Sequence, residues 1–165
     1  MEEKNYAWDA KDYANNSQNQ YQWAKELIPK LKLKGNEALL DIGCGDGKIT
    51  AELAKCMPNG LVVGIDSSAQ MIKLSQNTFS NRNYPNLSFQ VMDTRKLIFQ
   101  NEFDMIFSNA ALHWIVDQKA VLQGVQRSLK TGGRILFQMA GKANAHSVLR
   151  ILDNLLVEEP WKESF

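Results

Sequence analysis

Cysteine and histidine are scarce in this sequence of 165 residues, and their scarcity excludes two common kinds of stabilising site. The two cysteines, Cys44 and Cys56, are too few to build a disulfide scaffold. A tetrahedral zinc site needs about four ligands, and the only histidines, His113 and His146, lie far along the chain from both thiols. We therefore expect two reduced thiols and no metal site.

The sequence also lacks a charge excess and a long apolar run. Its 19 Lys and Arg residues against 18 Asp and Glu residues leave a net charge of +1, which gives no basic field to attract a phosphate backbone or an anionic membrane. No stretch approaches the roughly 18 apolar residues of a membrane helix, and residues 1–5 lack the apolar core of a signal peptide. These absences predict a cytoplasmic protein that binds neither nucleic acid nor membrane.

What the sequence does contain is enough apolar material for one packed domain. Hydrophobic residues make up 44% of the chain and charged residues 22%, as in ordinary globular proteins, and the length suits about one domain of roughly 150 residues. We interpret residues 1–165 as a single domain, with a helical lead-in over 1–35 and a ligand-binding core over 36–141. Residues 142–165 would begin a further C-terminal part.

Short apolar runs alternate with amphipathic segments through the core. The runs predict five strands, at Ala38–Ile42, Leu61–Ile65, Leu87–Val91, Phe103–Phe107 and Arg134–Met139. The segments between them predict helices at Lys48–Cys56, Ser68–Phe79 and Lys119–Leu129, with Thr131-Gly132-Gly133 as the turn before the last strand. This alternation is typical of right-handed crossovers, so the expected fold is α/β with a doubly wound, mostly parallel sheet.

A glycine loop follows the first predicted strand, in the order Asp41-Ile42-Gly43-Cys44-Gly45-Asp46-Gly47. Such a loop can turn sharply and bring its N–H groups against a ligand, although tight strand-to-helix turns also use glycine for structural reasons alone. Asp66 ends the next strand about 20 residues later, the spacing at which an acid reaches the ribose of a nucleoside. The loop fits neither the triphosphate nor the dinucleotide glycine pattern, which favours adenosine without a pyrophosphate.

This motif resembles the first motif of class I S-adenosylmethionine-dependent methyltransferases, and the resemblance extends over about residues 20–140. It implies a Rossmann-like methyltransferase fold and S-adenosylmethionine as cofactor, with Asp66 on the ribose and Asp93 near the adenine. Met71 would lie near the adenine or in the core, and Cys44 would be a small filler of the loop. The implied cofactor-binding residues are Asp41, Gly43, Cys44, Gly45, Asp66, Ser67, Met71, Asp93, Thr94, Asn109, Tyr13 and Gln20.

The segment from Asn109 to Trp114 resembles trans-aconitate methyltransferases and, through its Leu-His-Trp run, juvenile hormone acid methyltransferases. The resemblance implies a small-molecule acceptor, most simply a carboxylate oxygen, which is ionised at neutral pH and needs no general base. His113 would bind the carboxylate or take a proton from a less acidic acceptor, and Trp114 would wall the pocket. In the alternative, His113 caps backbone and Trp114 fills the core. Tyr13 and Gln20 would face the cofactor's carboxylate, or else belong to a solvated leader.

Several alternatives stay open at this stage. The chain could be a non-catalytic S-adenosylmethionine-binding module, or a methyltransferase acting on nitrogen, carbon or sulfur, whereas a dehydrogenase would need a dinucleotide. Because relatives of this kind usually continue further, we expect the C-terminal strands to be missing and the fragment to bind cofactor weakly without turning over. We expect no obligate protein partner, but self-association through the edge of the last strand.

Overall fold

A five-stranded parallel sheet forms the centre of the molecule, in the order β3-β2-β1-β4-β5. The computed structural model describes residues 17–141, 144 and 146–157, so Tyr13 lies outside the described residues. The strands are β1 (Ala38–Ile42), β2 (Leu61–Asp66), β3 (Leu87–Val91), β4 (Phe103–Asn109) and β5 (Leu129–Gln138). The predicted open, doubly wound α/β fold is confirmed.

One helix precedes the sheet in the chain, and further helices follow its strands. They are α1 (Gln18–Leu27), α2 (Lys48–Cys56), α3 (Ala69–Thr78), α4 (Gln118–Ser128) and α5 (His146–Leu156), with short 3-10 turns at Ile28–Leu31, Thr94–Lys96 and Leu112–Trp114. The helices at the carboxyl ends of β2 and β4 begin at side-chain caps. Ser68 Oγ accepts from the N–H of Met71, and Asp117 accepts from the N–H of Ala120.

Each central strand is apolar on both sides, because side chains alternate between the two faces of a sheet. In β1, Leu39 packs into one buried cluster with Met105 and Phe107, while Leu40 packs into the other with Ile106. A strand buried on both faces needs helices on both faces. The two clusters therefore fix the layered arrangement that the sequence pattern predicts.

The order of the strands places an opening beside β1. The chain runs outward from β1 to β2 and β3, then returns to β4 on the other side of β1. In sheets of this kind, ligands bind outside the carboxyl ends of the strands where the winding reverses. The glycine loop leaves β1 at this point, and the segment from Asn109 onward leaves β4 beside it.

The predicted start of the last strand was wrong. Instead of a turn at residues 131–133, β5 begins at Leu129, directly after α4 ends at Ser128. Pairing with β4 advances from Leu129 to Arg134 while β4 advances only from Phe103 to Met105. The intervening residues form a bulge, in which Gly132 takes a φ of 78°. Its glycines therefore shape an irregular strand rather than separate a helix from a strand.

The last two elements are largely uncovered. In the sheet order, β5 lies at one end and, among the described residues, pairs with β4 alone, and Ile135 is 49% exposed. Helix α5 has no buried residue, and its apolar side chains, including Ile151 and Leu152, are about half exposed. The two buried clusters are complete without α5. None of the helices in the described part of the chain combines the length and apolarity needed to cross a bilayer.

Candidate functional site

A cavity of about 810 Å³ opens at the carboxyl edge of the sheet. This volume falls in the range of small-molecule sites. Its walls come from α1, from the segments that follow β1, β2, β4 and β5, and from the turn after β3. The lining residues are Gln20, Trp23, Ile42, Gly43, Gly45, Asp66, Ser67, Met71, Thr94, Ala110, Ala111, His113, Trp114, Ile115, Gln138, Met139, Ala140 and Asn144.

The glycine loop reaches the cavity. Its N–H groups were predicted to bind a ligand, but those of Gly43, Cys44 and Gly45 donate to other groups of the chain. The N–H groups of Gly43 and Cys44 both donate to the Ile65 carbonyl, at 2.8 and 3.0 Å. The Gly45 N–H donates to Asp66 Oδ2 at 3.1 Å. Gly43 is required for close packing, because a Cβ at this position would overlap the side chain of Ala111. The loop after β1 can thus approach the segment after β4.

Asp66 lies at the end of β2 and lines the cavity, as the spacing predicts. One carboxylate oxygen accepts from the N–H of Ser68 at 2.8 Å and the other from the N–H of Gly45 at 3.1 Å. Burial raises the pKa of this carboxyl group despite those two bonds. Each oxygen has further lone-pair capacity beyond its one hydrogen bond, so the carboxylate has the capacity to accept two ligand hydroxyls.

Asp41 and Cys44 belong to the loop but do not line the cavity. Asp41 is buried beneath it and accepts a hydrogen bond from the Thr50 hydroxyl at 2.7 Å, which ties β1 to α2. Burial raises its pKa to about 7, although the Thr50 bond opposes the shift. Burial also raises the pKa of the Cys44 thiol, so that thiol stays neutral and fills space. Cys44 and Cys56 are both free.

The structure separates Asp93 from its neighbour Thr94. The Asp93 carboxylate accepts hydrogen bonds from Arg95 Nε at 3.0 Å and from Arg95 Nη2 at 2.7 Å. Asp93 is not among the lining residues. The hydrogen bonds from Arg95 hold its pKa below the usual value. Thr94 lines the cavity, as do Ser67 and the buried Met71. The place of Asp93 near the adenine therefore stays a prediction.

His113 and Trp114 lie at the mouth of the cavity, in the 3-10 turn that follows β4. Trp114 is 59% exposed, so the alternative in which it fills the core is wrong. The two rings lie 5.1 Å apart between centroids. The Gln118 amide holds this turn by donating to the carbonyls of Leu112 and Ile115, at 2.6 and 2.7 Å. Sequence reasoning missed Gln118, since an amide within α4 gives no local signal.

Helix α1 covers one side of the cavity with Gln20 and Trp23. The buried Asn109 side chain, at the end of β4, donates through Nδ2 to the Gln20 carbonyl at 2.9 Å. Asn109 does not itself line the cavity, but it fixes the helix that does. Helix α1 lies within the predicted lead-in over 1–35, and its residues Gln20 and Trp23 line the site.

The remaining lining residues were missed by sequence reasoning because most are small or apolar side chains without a motif. They are Trp23, Ile42, Ala110, Ala111, Ile115, Gln138, Met139, Ala140 and Asn144. Several directly follow β4 or β5, so the rule that ligands lie beyond strand ends could have found them. Ala110 takes a φ of 55°, a left-handed conformation that favours glycine and that the sequence gives no reason to expect.

Comparison with known proteins agrees with this fold. Residues 33–160 match the family model described as a methyltransferase domain. An uncharacterized methyltransferase of Schizosaccharomyces pombe is 36% identical over 91% of this chain and 58% of its own length. A trans-aconitate 2-methyltransferase of Azoarcus is 30% identical over 80% of this chain and 50% of its own. The chain thus spans about half the length of these curated relatives.

A crystal structure from Methanococcus maripaludis, of a proposed S-adenosyl-L-methionine-dependent methyltransferase, shares the fold. It superposes with a TM-score of 0.71 over 99% of this chain and 78% of that chain, at 22% sequence identity. The family match, the relatives and the doubly wound sheet with its glycine loop agree with one another. The chain therefore belongs to the methyltransferase domain family, within the class I S-adenosylmethionine-dependent methyltransferases.

Proposed function

We propose that the protein transfers a methyl group from S-adenosylmethionine to a carboxylate oxygen of a small molecule. The observation that carries the proposal is the continuity of one cavity. Gly43, Asp66 and Met71, on the side predicted to hold the donor, line the same space as His113 and Trp114, on the side predicted to hold the acceptor. A donor and an acceptor bound in this one cavity would be adjacent, so the reaction would not require the chain to bring two separate sites together.

The residues around the glycine loop fit the adenosyl part of the cofactor. Asp66 has lone pairs free for the two ribose hydroxyls, and the absence of a side chain at Gly43 lets the loop lie close to Ala111, which also lines the cavity. Met71, Ser67 and Thr94 supply an apolar contact and hydroxyl groups on the adenine side. When bound, S-adenosylmethionine supplies a methyl group on a sulfonium, and its neutral thioether leaving group needs no acid.

The proposed acceptor needs no acid or base catalysis from the protein. A carboxylate is already ionised at neutral pH, so no residue has to remove a proton. The attacking oxygen forms the new bond to carbon as the bond from carbon to sulfur breaks, and the electron pair goes to sulfur. His113 would donate a hydrogen bond to the other carboxylate oxygen, and Trp114 would align the acceptor and exclude water. Alignment is then the main contribution of this chain.

The charge of the cavity favours an acceptor with one carboxylate on an apolar body. Among the described lining residues there is no Lys or Arg, and Asp66 contributes negative charge. Burying several carboxylates there would cost free energy without a cationic partner. Trp23, Trp114, Ile115 and Met139 offer apolar surface for the rest of the molecule. The name of the Azoarcus relative supports carboxylate chemistry, at 30% identity.

The test is a methyl-transfer assay on the full-length reading frame that includes these 165 residues, with S-adenosylmethionine labelled in its methyl group. A panel of apolar monocarboxylic acids is compared with the corresponding amines, alcohols and amides. We expect label in a base-labile methyl ester of at least one acid, and a reduced rate in Trp114→Ala. Label that is base-stable, or that appears in amines or macromolecules while the acids stay unmodified, would contradict the proposal.

A further inference from the structure

Charged and polar side chains outside the cavity tie the glycine loop to α1. The Asp46 carboxylate pairs with Lys48 Nζ at 2.9 Å and accepts a hydrogen bond from the Ser17 hydroxyl at 3.4 Å. Lys48 Nζ also donates to the Ser17 hydroxyl, at 3.4 Å. Asp46 and Ser17 are buried, and none of the three residues is among those that line the cavity. We call Ser17, Asp46 and Lys48 the α1 anchor.

Asp46 lies where two helices begin. Its Oδ1 atom accepts from the backbone N–H of Lys48, the first residue of α2, at 3.2 Å. Ser17 directly precedes α1, and its hydroxyl donates to Asp46 rather than accepting from an N–H group of that helix. A carboxylate is favoured near a helix N-terminus because the helix dipole is positive there. One buried carboxylate thus joins the start of α1 to the start of α2.

The two ends of α1 are held by different interactions. At the C-terminal end, Leu27 is buried in one of the two apolar clusters. In the first turn, the side chains of Gln18, Gln20 and Tyr21 are exposed or partly buried. This turn is held by polar contacts, which are the α1 anchor and the bond from Asn109 Nδ2 to the Gln20 carbonyl. The start of α1 can therefore open while apolar packing keeps its other end in place.

The part of α1 that would open carries a wall of the cavity, because Gln20 and Trp23 line it. We propose that Asp46 is a positioning residue which, through its ion pair with Lys48, holds the start of α1 over the cavity and slows the entry and exit of the ligand. Asp46 acts through α1, since it is not itself among the lining residues. Only the choice of an adenosyl ligand for the kinetic measurement rests on the proposed function.

The first measurement is amide hydrogen exchange, followed by mass spectrometry, on the full-length reading frame that includes these 165 residues. Asp46→Asn keeps an acceptor for the Lys48 N–H and removes the charge. We expect exchange in the first half of α1 to become about fivefold to tenfold faster, as for the loss of a partly buried bond to a charged group, and exchange in α4 to stay as in the parent. Lys48→Met should have the same effect, and the double variant no larger one, because both substitutions break one ion pair.

Asp104→Asn is the matched control. Asp104 also pairs with a lysine at 2.9 Å, Lys130, and also accepts a backbone N–H, that of Ala38 at 2.8 Å. It lies at the start of β4, at the edge of the sheet opposite the cavity. Exchange in α1 should therefore be the same in Asp104→Asn as in the parent.

The second measurement is stopped-flow binding of S-adenosylhomocysteine, followed by tryptophan fluorescence, since Trp23 and Trp114 line the cavity. We expect Asp46→Asn to raise the association and dissociation rate constants by similar factors, so that the affinity changes less than either, because opening of α1 limits both steps. The loss of a direct ligand contact would instead raise mainly the dissociation rate constant. Asp104→Asn should leave both rate constants unchanged.

The outcomes separate this proposal from the proposed function. Unchanged exchange in α1 of Asp46→Asn would overturn the anchor, and so would a rise that extends equally to α4, because Asp46 would then stabilise the whole fold. Additive effects of Asp46→Asn and Lys48→Met would overturn it as well, and a change in the dissociation rate constant alone would overturn the control of ligand entry. If S-adenosylhomocysteine does not bind to the parent, the proposed function fails, while hydrogen exchange still decides whether Asp46 holds α1.

Discussion

Asp66 and Asp93 show how two carboxylates at the ends of neighbouring strands come to differ in the fold. Asp66 lines the cavity and each of its oxygens accepts one backbone N–H, while Asp93 is paired with Arg95 and is not among the lining residues. We predict that Asp66→Asn weakens the binding of S-adenosylhomocysteine by about 1.5–3 kcal/mol, the range for hydrogen bonds to a charged group. Calorimetry on the folded variant measures this.

Asp93→Asn is the matched control for that substitution. It removes a carboxylate of the same size at the end of the neighbouring strand, and we expect the affinity to stay within about 0.5 kcal/mol of the parent because such sites lie off the ligand. Equal losses of affinity for S-adenosylhomocysteine in both variants would show that Asp93 also contacts the ligand. An unchanged affinity in Asp66→Asn, with the fold intact, would show that Asp66 only stabilises the turn after β2 and does not bind the ligand.

Asp41 gives a prediction about pH. Its pKa in the folded protein is about 7, above the ordinary value of 3.8, so folding favours the protonated carboxyl group. The unfolding free energy should therefore fall as pH rises from about 4 to 7, with the full cost present above that range, up to about 4 kcal/mol. Asp41→Asn removes this titration while keeping an acceptor for Thr50.

Urea denaturation of Asp41→Asn and of the parent at several pH values checks this. The stability of the variant relative to the parent should increase from pH 4 to 7 and then level off. A difference that stays constant with pH would show that Asp41 does not titrate in this range. A difference that shrinks as pH rises would give it a lowered pKa, contrary to its burial.

At the scale of elements, the sequence pattern predicts most of the fold. Helix α2 has the predicted bounds, Lys48–Cys56, because its apolar stripe and the preceding glycine loop both mark its start. Strands β1 to β4 lie within two residues of their predicted ends, since each is a short apolar run between turn signals. Local patterns suffice wherever burial on both faces dictates the composition.

The same reasoning failed where long-range pairing decides the outcome. The start of β5 depends on its bulged pairing with β4, which no local pattern of residues 129–133 reveals. Likewise, the directions of Gln118 and Gln138 depend on partners distant in space, so their places at the site could not be read from spacing. The apolar stripe predicts α5 as a helix, but not that its apolar side chains stay exposed.

Substitutions at Gly43 and Gly132 would distinguish the cost of backbone strain from the cost of steric overlap. Both have a φ between 70° and 80°, but a Cβ at Gly43 would overlap Ala111, whereas a Cβ at Gly132 meets nothing within 4 Å. Gly132→Ala should cost about 1–2 kcal/mol of unfolding free energy from the left-handed backbone alone. Gly43→Ala should cost about 1–3 kcal/mol more, from overpacking.

Urea denaturation of the two variants gives the comparison, and calorimetry adds the effect on ligand binding. Only Gly43→Ala should also weaken S-adenosylhomocysteine, because only that glycine lines the cavity. Equal destabilisation by the two substitutions would show that the contact with Ala111 can relax freely.

For the whole molecule, the uncovered β5 edge and α5 predict self-association. Unpaired strand edges and apolar faces invite pairing with another chain. We expect sedimentation equilibrium to show a dimer that forms as concentration rises, and Leu152→Lys, which places a charge on the exposed stripe of α5, to shift it toward monomer. A strictly monomeric parent chain at high concentration would contradict this expectation.

The central claim is that the cavity beside β1 binds an adenosyl ligand without a pyrophosphate. The most direct measurement is a pair of calorimetric titrations of the purified chain, one with S-adenosylhomocysteine and one with NAD. We predict saturable binding of S-adenosylhomocysteine at one site, weakened by Asp66→Asn, and much weaker binding of NAD. Tighter binding of NAD than of S-adenosylhomocysteine would contradict the account.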